Sequence, residues 1–196
     1  MLVSGGGTNL QALLDAEKSG VINSGKIELV ISNKAGAYAL ERARNAGVRA
    51  ETVLRAELGS QAAFEARVIE LLTECEIDVI VLAGFLSILS EDFTKRYDHR
   101  ILNVHPSLIP AFCGVGYYGL RVHEAALVRG VRLTGATVHF VNEIADGGDI
   151  IMQRAVAVCE GDTPEILQRR VMEEAEWIIL PQSTEQVCAS ILKEKN

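Results

Sequence analysis

Residues 77–83, Ile-Asp-Val-Ile-Val-Leu-Ala, form a near-continuous apolar run of strand length. A strand with one wet face alternates apolar and polar residues. One this uniformly apolar must be covered on both faces, as a parallel strand in an α/β sheet is. A long amphipathic pattern precedes it, Ser60 to Glu76, with Phe64, Val68, Leu71 and Leu72 on one side. The same alternation fills the first half of the chain. It runs from strand-like Met1-Leu2-Val3 and a helix opening at Thr8 to a strand over Lys26–Ser32. A helix from Ala37 to Ala46, stopped by Gly47, and a short strand from Arg49 to Leu54 follow. This order predicts a doubly wound, mostly parallel, twisted α/β sheet. Its 196 residues suit one domain spanning 1–196, with a frayed tail after Ile191.

Composition narrows the function classes. The chain is 48% hydrophobic, enough for a real core, yet no apolar run reaches the roughly 18 residues of a membrane span. No basic segment precedes an apolar one at the N-terminus, so no signal peptide is expected. The net charge of −7, with acids and bases interspersed, argues against a nucleic-acid partner, which calls for a basic face. Cys75, Cys113, Cys159 and Cys188 are scattered without a C-x-x-C pair. They read as reduced cytosolic thiols, neither a disulfide framework nor a zinc site, and a cytoplasmic location is expected.

The richest stretch is Asn103-Val104-His105-Pro106-Ser107-Leu108-Ile109-Pro110, which follows strand-like Arg100-Ile101-Leu102. Period-two alternation points Asn103 and His105 to the same side, and two prolines then forbid the strand from continuing. An amide and an imidazole thus stand together where a buried strand opens into a loop, the place where ligands sit in open α/β sheets. A lone His at a strand end is more often satisfied by a backbone carbonyl than used in chemistry.

Ser4-Gly5-Gly6-Gly7 between a strand and a helix N-terminus is a second candidate, for an anion. Thr8 and Gln11 have capping-box spacing, with Leu10, Leu13 and Leu14 as the inward stripe. The loop is not a P-loop, and Leu10 stands where a dinucleotide fingerprint needs glycine. On spacing alone, a plain tight turn is an equal reading. The segment Phe112–Gly119, with three glycines and two tyrosines, reads either as a mobile loop over a site or as an ordinary ordered loop. His123 and His139 read first as structural, His139 as a supporting residue. Asp146, in the turn-rich Asn142–Asp149, reads first as an Asp-Gly turn residue. The last long helix, opening at Asp162-Thr163-Pro164-Glu165, buries Leu167, Val171, Ala175 and Ile178, which leaves Glu176 on the solvated side.

The octapeptide resembles the signature of the folate-dependent formyltransferases. Ser4–Leu10, Ser32-Asn33-Lys34, Leu82–Phe85 and Gly135–Val141 running on to Asp146-Gly147-Gly148 resemble, in the same order, the branch of that family serving purine synthesis. The resemblance implies a Rossmann-like fold. It also implies transfer of the formyl group of 10-formyltetrahydrofolate to the amine of phosphoribosylglycinamide, with no metal. Partners would be small-molecule substrates, with no membrane and no nucleic acid, in a monomer or homodimer. By the same resemblance Asn103, His105 and Asp146 are catalytic. Gly7, Thr8 and Asn9 hold the phosphate, and Glu176 lies near the amine. Leu86, Ser87, Ile88 and Leu89, with Asn142, Glu143, Ile144 and Ala145, line the folate pocket. The chain departs from the family at several points: a shortened first strand with an expected stability cost, neutral Ser87 and Gln61 where arginines are usual, Trp177 for histidine, and Asp149 for proline. An Asp149 carboxylate is expected to repel Asp146.

Formyl transfer by direct amine attack passes through a tetrahedral oxyanion. It needs a donor for that oxygen and a route for protons. Asn103 and His105 can donate, and Asp146 can favour the imidazolium. Other readings stay open at this point: a deformylase, a methionyl-tRNA formyltransferase-like enzyme, or a non-catalytic phosphate-binding α/β module.

Overall fold

The computed structural model describes residues 1–85 and 87–195. Seven strands form one sheet in the order β3-β2-β1-β4-β5-β6-β7. They are β1 (Leu2–Val3), β2 (Leu29–Ser32), β3 (Arg49–Thr52), β4 (Ile80–Leu82), β5 (Ile101–His105), β6 (Leu133–Phe140) and β7 (Ile150–Ala157). The first five run parallel, and β6 and β7 are antiparallel to their neighbours. The predicted fold class is thus the observed one. Strand order reverses between β1 and β4, so the crevice above their carboxyl ends is the sheet's switch point.

Alternate residues of each central strand serve opposite layers. Val3, Val30, Val81 and Leu102 face a core shared with helices α1 (Thr8–Ser19), α2 (Tyr38–Asn45) and α6 (Leu120–Arg129) and with the C-terminal helices. Leu2, Ile31, Ile80 and Ile101 face α4 (Gln61–Glu74) and α5 (Glu91–Arg96), where Phe64, Val68, Leu71, Leu72 and Phe93 are buried. Each such side chain contributes roughly 1.5–3 kcal/mol by leaving water. Though only two residues long, β1 is central, paired to β2 on one side and β4 on the other.

Several expectations need correction. Strand β2 starts at Leu29 rather than Lys26, because the ion-paired Lys26 and Glu28 stay on the surface. The Thr8–Gln11 capping box does not form. Gly7 is the N-cap, with no side-chain cap, and Gln11 instead bonds Asp15 and Arg42. Two short helices escaped the pattern, α3 (Arg55–Leu58) and α5; the latter is capped by Ser90, whose hydroxyl accepts from the Phe93 N–H. The tail after Ile191, expected to fray, is helical to Lys195. The last helix, α8 (Trp177–Lys195), keeps Ile191 buried and ends on a Lys195–Asp78 ion pair of 2.6 Å.

The final helix is also not one regular α-helix. Helix α7 (Pro164–Val171) passes into α8 through a π turn, Met172–Glu176. The wider turn absorbs an extra residue, so the buried stripe runs Leu167, Val171, Ala175 and then Ile179 in place of Ile178. Glu176 becomes buried instead of solvated. Among the described residues no helix is long and apolar enough to cross a membrane.

The turn after β1 packs directly on α2. Gly7 has φ of 72°, and a Cβ there would lie 2.7 Å from the Ala39 Cβ and 2.8 Å from its Cα. Left-handed strain and overpacking together predict that Gly7→Ala lowers the unfolding free energy by about 2 kcal/mol or more. A urea melt checks this; an unchanged midpoint would mean that loop and helix separate at no cost.

Candidate functional site

Three loops rise from the carboxyl ends of the parallel strands at the switch point, and the turn before β7 joins them. They enclose a cavity of about 460 Å³. Thr8 and Asn9 line it from the glycine turn, Phe85, Ser87 and Ile88 from the loop after β4, and Asn103 and His105 from β5. Residues 114–119, Ala145, Asp146, Gln168, Met172 and Glu176 complete the wall. A larger cavity, about 610 Å³, lies between α1 and α8 over Ala12, Ile178 and Pro181. Its lining has the amides of Gln11 and Gln182 and the Asp15 carboxylate but no imidazole, so chemistry rather than size marks the smaller one.

Asn103 and His105 lie on one side of β5, opposite His139 and Thr137 of β6. His105 is 4% exposed. Its Nε2 is 2.9 Å from the Phe112 carbonyl, which can only accept, so Nε2 carries a hydrogen. That leaves Nδ1 facing Asp146 Oδ2 at 3.4 Å. The carbonyl partner expected of a strand-end histidine and the carboxylate expected of a catalytic one are therefore both present. Burial holds the His105 pKa below its ordinary value, against the opposing pull of Asp146 and the Phe112 carbonyl. Burial thus favours the neutral ring.

His139 does more than its strand pattern suggested. Its Nδ1 is 2.7 Å from the Phe140 carbonyl, so Nδ1 is the donor and Nε2 is free to accept from the Asn103 amide at 3.2 Å. This fixes which end of the Asn103 amide is nitrogen. Asp146 has φ of 54°, a conformation aspartate tolerates in a turn. Its Oδ2 accepts from the Gly114 N–H at 2.8 Å, and its Oδ1 is 3.5 Å from His139 Nε2. Burial pushes the Asp146 pKa up, but the His139 contact, the charge of His105 and the Gly114 N–H together outweigh it, and the carboxyl sits below its usual range. Asp149 does not repel Asp146: its side chain is turned out to solvent, 3.6 Å from His99.

Glu176 Oε2 accepts from Asn9 Nδ2 at 2.8 Å, tying the π turn to the start of α1. Burial raises the Glu176 pKa, with the Asn9 amide opposing. Asn9 Oδ1 is buried without a partner among the described residues. Ser87, neutral where the resemblance led to arginine, accepts from Asn33 Nδ2 at 2.7 Å, and Asn33 in turn accepts from the Ser4 hydroxyl. Gln61 donates to the Ile88 carbonyl at 3.2 Å.

Of the residues assigned to a folate pocket, Ser87, Ile88 and Ala145 reach the cavity. Leu89 does not; it is buried in the core against α4 and α5. Asn142, Glu143 and Ile144 lie outside the lining, with Asn142 Oδ1 capping the Ile144 N–H at 3.0 Å. Leu86 lies outside the described residues. Phe85, Gln168 and Met172 line the cavity without having been read from sequence. The four-residue spacing of Gln168, Met172 and Glu176 was the available signal. Among the described residues no group of three His, Cys, Asp or Glu is placed to hold a metal ion.

A doubly wound sheet with an amide, an imidazole and a carboxylate converging at its switch point, beside a glycine turn, defines a group-transfer or hydrolytic α/β protein. Residues 1–184 match the formyl transferase family model, and the chain belongs to that family. It is 43% identical to phosphoribosylglycinamide formyltransferase of Escherichia coli (strain K12) over 171 residues, which cover 87% of this chain and 78% of that one. Glycinamide ribonucleotide transformylase 1 from Symbiobacterium toebii superposes with a TM-score of 0.89 at 44% identity, over 96% of this chain and 86% of that one. The chain is also 42% identical to the Gallus gallus trifunctional purine biosynthetic protein adenosine-3 over 98% of its own length. It spans only 18% of that much longer relative.

His123, at the start of α6, is fully buried, and neither ring nitrogen has a partner among the described residues. Burial first, and then the positive charge of His105, lower its pKa from 6.5 to about 4. The folded state therefore binds fewer protons than the unfolded chain between these values. Stability is intact above pH 6.5 and falls toward pH 4, with a full cost of about 3 kcal/mol from this group. His123→Phe should flatten that part of the stability–pH curve; urea melts at pH 7 and 4.5 with the parent slope retained would contradict it.

Proposed function

We propose that the chain transfers the formyl group of 10-formyltetrahydrofolate to the amine of phosphoribosylglycinamide, a step of purine biosynthesis. The observation that carries this is the meeting of Asn103, His105 and Asp146 in one cavity with Thr8, Asn9 and Glu176. A bare phosphate-binding module has no use for that trio.

In this reading Gly7, Thr8 and Asn9 hold the phosphate at the positive end of α1. Glu176, poised by Asn9, accepts a hydrogen bond from the substrate amine or a ribose hydroxyl. Phe85, Ile88 and Tyr117 offer apolar surface to the pterin, and Ser87 and Ala145 lie beside it. The amine attacks the formyl carbon. Asn103 uses the Nδ2 hydrogen not engaged with His139 to stabilise the developing oxyanion. His105, neutral at rest, takes the proton from the attacking nitrogen at Nδ1 and returns it to the departing folate nitrogen. Asp146, ionised, stabilises the imidazolium between those two transfers. No covalent bond to the protein forms, and the proton count closes: one leaves the amine and one reaches the folate. The four cysteines are all unpaired, which fits action in the reducing cytoplasm.

Purified protein mixed with 10-formyltetrahydrofolate and phosphoribosylglycinamide should release folate, followed by absorbance, only when the amine is present. Release without the amine would indicate hydrolysis instead. His105→Ala, Asp146→Asn and Asn103→Ala should each lower kcat by about 10²-fold or more; near-parent turnover removes that residue from the mechanism. The rate should rise through an acid limb below pH 6.5, as His105 deprotonates. Asp146→Asn removes a charge that raises the His105 pKa, so its residual activity should show that limb at still lower pH.

A further inference from the structure

Arg42, midway along α2, is not part of the cavity wall, yet it grips the turn beneath it. Its Nε–H donates to the Gly6 carbonyl at 2.9 Å, and Nη1 donates to Gln11 Oε1 at 3.0 Å. The guanidinium lies over the Tyr38 ring, 4.9 Å from its centroid. One turn earlier on the same helix, the Ala39 N–H donates to the Gly5 carbonyl at 3.1 Å. Two successive peptide planes thus have their oxygens pulled toward α2.

The peptides of the turn are trans. In a trans peptide the N–H points opposite to the C=O. Holding the Gly5 and Gly6 oxygens on α2 therefore directs the Gly6 and Gly7 N–H groups away from it. Glycine flanks both peptides, and glycine populates either sign of φ, so each plane can flip at little steric cost. A flipped Gly6–Gly7 peptide would present a carbonyl oxygen where an anion needs a donor. We propose that Arg42 is the positioning residue of the anion-binding turn: it locks the Gly6–Gly7 peptide with its N–H outward and, through a charge-assisted bond, polarises that N–H. Gln11 braces the guanidinium from the first turn of α1, so turn and helix are set by one side chain. This inference rests on the reading of Gly7–Asn9 as the phosphate loop.

The test compares the parent with Arg42→Met, which keeps an unbranched stem over Tyr38 and removes the donors, and with Arg42→Lys. Ribose 5-phosphate is titrated into each by calorimetry, and 31P spectra follow bound inorganic phosphate. Arg42→Met should weaken ribose 5-phosphate binding about tenfold, the worth of one charge-assisted hydrogen bond, with Arg42→Lys in between. In turnover the KM for phosphoribosylglycinamide should rise by the same factor while kcat and the KM for the dephosphorylated riboside stay within twofold. Parent-like binding by folded Arg42→Met, or an equal rise in KM for both substrates, overturns the inference and leaves the proposed reaction standing. Should Arg42→Met fail to fold, Gln11→Leu removes only the brace. A several-fold weaker ribose 5-phosphate Kd then supports the proposal, and an unchanged one overturns it. A parent chain that binds neither probe overturns the phosphate-loop reading and this inference together.

Discussion

The site is organised by a half-buried negative charge. An ionised carboxylate cannot leave water without compensation. Asp146 takes one hydrogen bond from an N–H and faces two histidines, each of which compensates the charge when its facing nitrogen is protonated, and the three come from segments far apart in sequence. The Gly114 N–H comes from the loop after β5, His105 from β5 itself, and His139 from β6. Each of these neighbours has a further partner in the site. The Gly114 contact draws the 112–119 loop over the cavity, and that brings the Phe112 carbonyl onto His105 Nε2. The His139 contact leaves Nε2 in place to orient Asn103. The carboxylate thus holds the loop whose Phe112 carbonyl sets the His105 tautomer, while the Phe140 carbonyl sets the His139 tautomer that orients Asn103.

The same arrangement keeps His105 ready to accept a proton. Both of its ring nitrogens face oxygen atoms, so the geometry suits the doubly protonated ring; burial opposes and wins at rest. A histidine whose surroundings are organised for the cation but whose ground state is neutral has little reorganisation left when a proton arrives. That is the condition the proposed mechanism sets for its base, which must become an acid within one turnover. The alternative, a permanent imidazolium salt-bridged to Asp146, would have made a stronger oxyanion donor but no proton acceptor.

Much of this was legible because it is local. Alternation placed Asn103 and His105 on one side of β5, and the apolar run at 77–83 required a strand covered on both faces. Glycine turns and prolines punctuated the elements close to where they occur. What stayed hidden depends on partners remote in sequence. Nothing near Leu89 says that it packs against Phe64 and Phe93 rather than facing the cavity, and nothing near Asp149 says that it turns to His99. The hydrogen bond that claims Gln11 for Arg42 crosses 31 residues, so local spacing favoured a cap that does not form. Only the resemblance to formyltransferases pointed to a catalytic Asp146; its turn context alone did not.

Glu176 shows how a small departure from regularity brings a side chain into the cavity wall. In an unbroken α-helix the stripe Leu167, Val171, Ala175 and Ile178 leaves position 176 facing water. The π turn widens the helix by one residue, and the core-facing stripe resumes one position later, at Ile179. The register change lets Glu176 stay beside Ala175 on the inner side and reach Asn9 across the cavity floor. A π turn has poorer backbone hydrogen-bond geometry than the helix around it and persists only where tertiary contacts favour it. Here those contacts are the burial of Val171 and Ile179 on either side of the turn and of Ala175 within it, and the Asn9–Glu176 bond at its end. The irregularity is therefore maintained by the core, which is why periodicity read from sequence placed Leu167 and Val171 of α7 in the buried stripe and failed at Glu176, within the turn itself.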